Sequence, residues 1–363
     1  MELDQGDEVR FGPRRPYRRR RSGWLLIACA AVLAAVVAVV VFVGHGNKPE
    51  RARPAGAGEA GPRLLGLRAS WELFGYGSDV VVRIQFSTGR IMQTAVPALL
   101  SGGPVSFVVG PHQAIIRPLD SVPGYLVPDG RPARLLPGAL SYGTVIPGPQ
   151  PGTLWLQAGF QVTSMPLVRT DGTKVGVFLR LPPGGPWQVI PDGRGYALVG
   201  GSGYGGLYDL TPGGYRRIGG ALTAAGPTRW LLVDCLAGRR CSNVVVDPAD
   251  GTRRILPGPS VEPEPGAAPG VIAPDGSAAA VVRISGNRVT LHLINLVSGA
   301  DQQISVSLDQ GSAEDQTLAW SPDSRWLFIV AAQGELVAIN ARSRHVEGLG
   351  VKLPPIGQIA VRN

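Results

Sequence analysis

An all-β fold is predicted for this chain of 363 residues, and three observations predict it. Short apolar runs recur along most of its length, whereas helix-period runs are scarce outside one N-terminal segment. The sequence carries 51 Gly and 33 Pro, far above average usage, and many of them separate the apolar runs as turn residues. The turns themselves return at a near-constant spacing.

Taken in order, the chain begins with a basic tail, residues 1–23. Met1–Ser22 holds seven Arg against four acids. Residues 24–43, WLLIACAAVLAAVVAVVVFV, follow without a charge. Twenty residues at about 1.5 Å each cross a hydrocarbon core of about 30 Å. The segment is therefore expected to be a single transmembrane helix, with Trp24 at the interface. Arg14, Arg15 and Arg18–Arg21 hold the N-terminus in the cytoplasm by the positive-inside rule. The competing reading is a cleaved signal peptide, but the apolar run is long for one and no A-x-A-like site follows Val43. Residues 44–63 are rich in Gly, Ala, Pro and charge and read as a flexible linker of roughly 25 Å mean reach. Residues 64–363 are then a single extracytoplasmic domain, and the protein is expected at the cell membrane.

Within that domain seven turn dipeptides recur: Thr88-Gly89, Asp129-Gly130, Asp171-Gly172, Gly213-Gly214, Asp250-Gly251, Ser298-Gly299 and Arg342-Ser343. Their second positions are separated by 41, 42, 42, 37, 48 and 44 residues. One Asp-Gly is weak, since it marks any tight hairpin. Seven in phase, with short strand signals between them, match the blades of a β-propeller. The copies run Val105–Pro137, Gly143–Leu181, Pro186–Gly219, Ala221–Pro257 and Gly270–Leu308. The clearest is Gln316–Gly350, with strand signals Thr317–Trp320, Trp326–Ala332, Glu335–Asn340 and His345–Leu349. Strands this short with tight turns form an antiparallel meander, because a parallel crossover needs a dozen residues or more. Ser70–Val96 supplies only three strand signals, and one orphan remains at Gly357–Arg362. Three and one make the last blade. The expectation is a seven-bladed ring in which the C-terminal strand completes the N-terminal sheet and buries edges that would otherwise template aggregation.

The segments LAWSPDSRWLFIV and VIAPDGSAAAVVR resemble the WD40-like repeat of TolB-type propellers. In that family an S-P-D-G element joins the innermost strand to the next. Ser321-Pro322-Asp323-Ser324 and Ala273-Pro274-Asp275-Gly276 fit it, and Pro191-Asp192-Gly193 is a third match. The other blades depart from the pattern, and the Trp-Asp dipeptide of true WD40 repeats is missing. The resemblance implies a propeller used as an interaction platform outside the cytoplasmic membrane. It carries over no substrate. The layout also resembles membrane-anchored actinobacterial proteins of this kind.

Cys29 lies in the apolar span. Cys235 and Cys241 flank LAGRR at a hairpin between the second and third strands of one blade. Outside the membrane they are expected to form a disulfide, the alternative being two free thiols. Gly201–Gly206 matches G-x-G-x-x-G, but a strand and turn follow where a dinucleotide site needs a helix. The segment reads as a hairpin. Asp247 and Asp250 read as Asx turns, since the closing Glu of a calcium loop is missing. Glu262 and Glu264 sit in a Pro-rich connection. His292 alternates within a strand and reads as a satisfied surface histidine. Trp71, Trp155, Trp187, Trp230, Trp320 and Trp326 recur near blade strands and are expected to fill the space between sheets. No catalytic residue, metal ligand or cofactor is assigned.

Formal net charge is +9, a balance that favours anionic partners. Three basic pairs, Arg216-Arg217, Arg239-Arg240 and Arg253-Arg254, fall in two adjacent blades. They form a candidate patch for an acidic protein face or an anionic envelope polymer. The plainer reading is solvated strand edges that discourage pairing. Nucleic acid is not expected as a partner, because membrane topology already explains the N-terminal arginines. The function predicted is non-catalytic binding. The alternative is a propeller enzyme, a glycan hydrolase or lyase, with its site at the central channel.

Overall fold

A computed structural model of the chain describes residues 63–363 apart from 68, 78, 98–104, 119–122, 141–142, 160–161, 186, 202–205, 236–240, 261–267, 310 and 312–315. The expected tail, span and all but the last residue of the linker lie outside the described residues. Among the described residues no helix is long and apolar enough to cross a membrane.

The described residues form antiparallel meanders. β1 (Glu72–Tyr76), β2 (Val80–Gln85) and β3 (Arg90–Ala95) open the first. The next sheet holds β4 (Val105–Gly110), β5 (Gln113–Pro118), β6 (Tyr125–Pro128) and β7 (Arg134–Leu135). It is followed by β8 (Thr144–Pro147), β9 (Thr153–Gln157), β10 (Ser164–Arg169) and β11 (Lys174–Arg180). Then come β12 (Trp187–Pro191), β13 (Ala197–Gly201), β14 (Leu207–Thr211) and β15 (Gly214–Arg217). Two further meanders are β16 (Ala221–Ala225), β17 (Trp230–Cys235), β18 (Cys241–Val246), β19 (Arg253–Ile255) and β20 (Gly270–Ile272), β21 (Ala278–Ser285), β22 (Arg288–Asn295), β23 (Asp301–Ile304). They merge into one eight-stranded sheet, because β16 and β20 pair in parallel at Ala224↔Gly270 and Ala225↔Val271. Small residues at that contact let two inner strands approach. β24 (Leu318–Trp320), β25 (Trp326–Val330), β26 (Glu335–Asn340) and β27 (Val346–Lys352) form the last meander.

β28 (Gln358–Arg362) leaves that meander and pairs antiparallel with β1, in register from Glu72↔Arg362 to Tyr76↔Gln358. The three-stranded first sheet thereby gains its fourth strand, as the orphan strand signal predicted. Gln358 also reaches both neighbouring sheets. It bridges Gln316 in parallel, and its side-chain amide donates to the Val105 carbonyl at 2.6 Å.

Burial falls from the inner strands outward. β1 and β9 are buried at every residue, whereas β7 and β19 are wholly exposed and β11 is exposed at all but Leu179. Charged outer edges suit this gradient, since unpaired edge groups invite association. Apolar clusters lie between consecutive sheets. Ile115, Leu126 and Val108 pack on Val145, Leu154 and Leu156, and Leu198 and Leu207 pack on Trp230 and Leu232. The last sheet packs on the first in the same way. Phe328, Val330 and Leu336 meet Leu73, Val82, Ile84 and Phe86, and the Phe86 and Phe328 rings lie 4.7 Å apart. Trp155 and Trp230 are fully buried in such layers, as their spacing predicted.

All seven recurring turns join the third strand of a sheet to its outermost strand, so their constant phase has a structural cause. Six place a Gly at positive φ, from Gly89 at 61° to Gly214 at 137°. The seventh is displaced by one residue from its sequence assignment. Asn340 caps Arg342 N and Ser343 N, and the left-handed position falls on Arg344 at φ 64°. The same five-residue turn runs Asn295–Gly299, so Ser343-Arg344 and not Arg342-Ser343 is the equivalent dipeptide. β25 also stops at Val330, short of the expected Ala332, because Ala332–Gly334 makes a single 3-10 turn.

The three S-P-D-type turns join innermost to second strands, at β12–β13, β20–β21 and β24–β25. Asp323 accepts from Ser321 Oγ at 2.7 Å, and Ser321 Oγ accepts from Trp326 N at 2.9 Å. Successive turns touch: Ser324 Oγ accepts from Asp275 N at 3.0 Å. At Gly193, φ is 81° and an added Cβ would lie 2.6 Å from Gly226 C and Pro227 N.

A chain stopped after Gly357 exposes β1 as an apolar edge. Its Tm in a thermal melt is expected to fall by roughly 10 °C or more, with self-association on gel filtration; an unchanged melt would show that β28 is dispensable. Gly193→Ala is expected to cost more than about 2 kcal/mol in denaturant unfolding, from a left-handed backbone and a backbone clash together.

Candidate functional site

Charged side chains gather where strands of one sheet face the turns of the next. Glu72 and Arg362 are cross-strand partners on β1 and β28, and Arg83 stands opposite Phe74 on β2. The Glu72 carboxylate accepts from Arg83 Nε at 3.0 Å, Arg362 Nε at 3.0 Å and Gln85 Nε2 at 2.9 Å. Arg362 continues across to the next sheet, donating to Asp129 Oδ2 at 2.7 Å and to the Gly110 carbonyl at 3.0 Å. Its guanidinium lies 4.6 Å from the centre of the Phe74 ring. Burial by itself would raise the Glu72 pKa. The hydrogen bonds from Arg83, Gln85 and Arg362 outweigh burial and hold the carboxyl below its usual value.

A second cluster forms at the β12–β13 turn. Arg194 Nε donates to Asp192 at 2.7 Å, and its Nη2 donates to Asp209 on β14 at 2.9 Å. Arg194 Nη1 reaches the Pro248 carbonyl of the following sheet at 3.1 Å, and the guanidinium covers the Trp230 ring at 4.9 Å. Arg216 on β15 donates to the other Asp209 oxygen at 3.2 Å. Asp192 and Asp209 are both buried. Here burial prevails: it raises the Asp209 carboxyl against the pull of Arg194 and Arg216.

Two of the three basic pairs singled out in the sequence lie on outer strands. Arg216 and Arg217 end β15, and Arg253 and Arg254 open β19 on the neighbouring sheet. Arg253 donates to Asp234 at 2.6 Å and to the Ile218 carbonyl back on the β12–β15 sheet. Arg254 reaches forward to the carbonyls of Val297, at 3.0 Å, and Leu296. Arg239 and Arg240 lie outside the described residues, as do Glu262 and Glu264. Arg216, Arg253 and Arg254 each bridge to a carbonyl outside their own meander, and Arg217 stands exposed at the end of β15. The acids that join them, Asp209 and Asp234, gave no signal in the sequence beyond alternating with apolar residues.

Cys235 and Cys241 are directly paired across β17 and β18 and form a disulfide, with Cα atoms 4.0 Å apart. The hairpin predicted at Gly201–Gly206 joins β13 to β14, and residues 202–205 lie outside the described residues. Asp247 and Asp250 make Asx turns, accepting from Ala249 N at 2.9 Å and Thr252 N at 2.7 Å. His292 is satisfied on its strand by Asp301 at 2.9 Å and Thr290 at 3.2 Å.

Solved structures share this fold. A candidate 6-phosphogluconolactonase from Bacteroides uniformis superposes with a TM-score of 0.54 at 10% identity, covering 81% of this chain and 100% of its own. One from Bacteroides fragilis gives 0.50 at 10% identity, covering 82% and 99%. The fold is β-propeller-like. At that identity the likeness extends to the fold alone. No family model matches the chain, and no curated protein matches it.

In the propeller frame the Glu72 cluster is a clasp over the join between the first and last described strands, β1 and β28. Its sign with pH is set by Glu72. A carboxyl lowered below 4.5 stabilises the fold above the unfolded pKa, and that stability is lost as pH falls through the folded value. Glu72→Gln leaves two arginines without one of their carboxylates. It is expected to cost about 2 kcal/mol at pH 7 in denaturant unfolding, with the gap to the native protein narrowing as pH falls below 4.5 and through the lowered folded value. A gap that does not narrow at all as pH is lowered would show that the carboxylate charge is not what holds the clasp.

Proposed function

We propose that this chain is a single-span membrane protein whose extracytoplasmic, seven-bladed propeller binds an acidic protein face or an anionic envelope polymer. The uncharged run at residues 24–43 and the arginines before it support the anchor and its orientation. The seven turns in phase and the closure by β28 support the blade count.

The observation that carries the binding reading is the exposure of Arg217 and Arg254 on the outer strands of two successive meanders. Arg216 and Arg253 are largely neutralised by Asp209 and Asp234. Arg254 is held in place by backbone carbonyls and not by a carboxylate, and so keeps its charge available to a partner. Guanidinium groups suit phosphate and carboxylate recognition because the planar fork takes two oxygens at once. A rigid closed scaffold presents them with little ordering cost. Such contacts set encounter rate and salt dependence more than raw affinity.

Full-length protein in detergent is expected to bind polyphosphate and polyglutamate, as model polyanions, with affinity that falls as salt rises. The double variant Arg217→Glu, Arg254→Gln is expected to weaken binding about tenfold, and Arg217→Glu alone to weaken it with an unchanged melt. Equal binding by the double variant would remove the patch from the proposal. If crosslinking in the native envelope captures no partner while wall fragments are turned over, the enzyme alternative takes its place.

A further inference from the structure

Arg117 is the one fully buried arginine among the described residues. It sits on β5, two residues beyond Ile115, and so shares that residue's strand face. Ile115 packs into the apolar layer with Leu140, from the Gly138–Leu140 turn between β7 and β8, and with Val145 and Leu156 of the following sheet. Arg117 Nε donates to the Leu140 carbonyl. Nη1 and Nη2 are out of contact with solvent and have no hydrogen-bond partner. Its cross-strand neighbour Ser106 uses its hydroxyl to accept from Val145 N at 3.2 Å. Burial pushes the Arg117 pKa down to about 10, which still leaves a full charge at neutral pH.

The other sheet-bridging arginines show what is missing. Arg362 combines a carbonyl of the next sheet, Gly110, with the carboxylates of Glu72 and Asp129. Arg194 combines the Pro248 carbonyl with Asp192 and Asp209. Arg117 has the carbonyl and, among the described residues, no carboxylate. A buried charge that lacks a counter-charge is strongly destabilising, and buried donors without acceptors are rare. With Nε engaged, the two Nη groups form an end-on fork that matches the two oxygens of a carboxylate.

We propose that Nη1 and Nη2 of Arg117 bind a carboxylate anion between the β4–β7 and β8–β11 sheets, supplied as a small free acid or as the acid group of a larger ligand. The site is separate from the exposed outer-strand arginines, and neither depends on the other.

Thermal unfolding of the full-length protein in detergent, at fixed ionic strength with chloride as background, tests this with acetate and succinate as probes. Near-saturating acetate is expected to raise Tm by roughly 4 °C, the shift for a ligand at about a hundred times its Kd acting on a domain of this size. A free small anion predicts a response to acetate alone, and the acid group of a larger ligand predicts one to succinate as well. Arg117→Met removes the charge at similar length. It is expected to melt no lower than acetate-free native protein and to show no acetate response. If that variant does not fold, saturation transfer from the native protein to the acetate methyl protons reads binding directly. The proposal is overturned if native Tm is the same in acetate and chloride, if Arg117→Met keeps the full shift, or if no transfer reaches acetate.

Discussion

The pairing of β28 with β1 is the constraint on which the rest of the fold depends. Each sheet is small and twisted, with apolar residues on both of its faces, and cannot stand alone in water. Stacking satisfies both faces only if the row of sheets returns on itself. The five cross-strand pairs between Glu72–Tyr76 and Gln358–Arg362 make that return, and the Phe86–Phe328 layer follows from it. Joining segments nearly 290 residues apart is entropically costly, though the cost grows only slowly with length. The clasp formed by Glu72, Arg83, Asp129 and Arg362 offsets part of it at the same place. Arg362 touches the first sheet and the one beyond, so the last strand is held from two sides.

A second regularity is directional. Apolar layers between sheets resist separation but do little to resist sliding, because hydrophobic burial is not directional. Hydrogen bonds from long side chains to carbonyls of the adjoining sheet supply the direction. Trp155 reaches Gly195, Trp230 reaches Asp192 and Trp320 reaches Val271, each through its indole N–H. Arg194, Arg253, Arg254 and Arg362 do the same through guanidinium groups. Burial raises both carboxylates that join them, yet their net shifts are opposite. Glu72 is held ionised by three donors, whereas Asp209 is buried enough for desolvation to prevail.

The burial gradient then divides the labour between strands. Inner strands make the layers, and outer strands meet solvent with arginine and lysine at their edges. The same charges that keep edges from pairing are available to a partner, which is why one set of residues supports both a structural and a binding account. Arg117 departs from this pattern. It places a charge where Ile115 and Leu140 have prepared an apolar layer, and a departure from local consistency of that kind is where function is most often found.

The sequence by itself determined the all-β class, the repeat length, the position of each turn within its sheet, the partner of the orphan C-terminal strand and the Cys235–Cys241 bridge. These are short-range or periodic features: turn residues need particular φ values, and seven of them in phase leave little freedom. Its misreadings were also local, a turn displaced by one residue at Ser343-Arg344 and a strand extended to Ala332. Only the tertiary structure decided which charges meet. Glu72 with Arg362, Arg194 with Asp209 and Arg117 with the Leu140 carbonyl each join positions whose spacing in sequence has no regularity. The single legible sign was Arg117 on the apolar face of QAIIRPL, a charge at a position the strand period reserves for the core. Electrostatic contacts act through space and depend on which sheets become neighbours, so they exist only once the sheets have packed side by side.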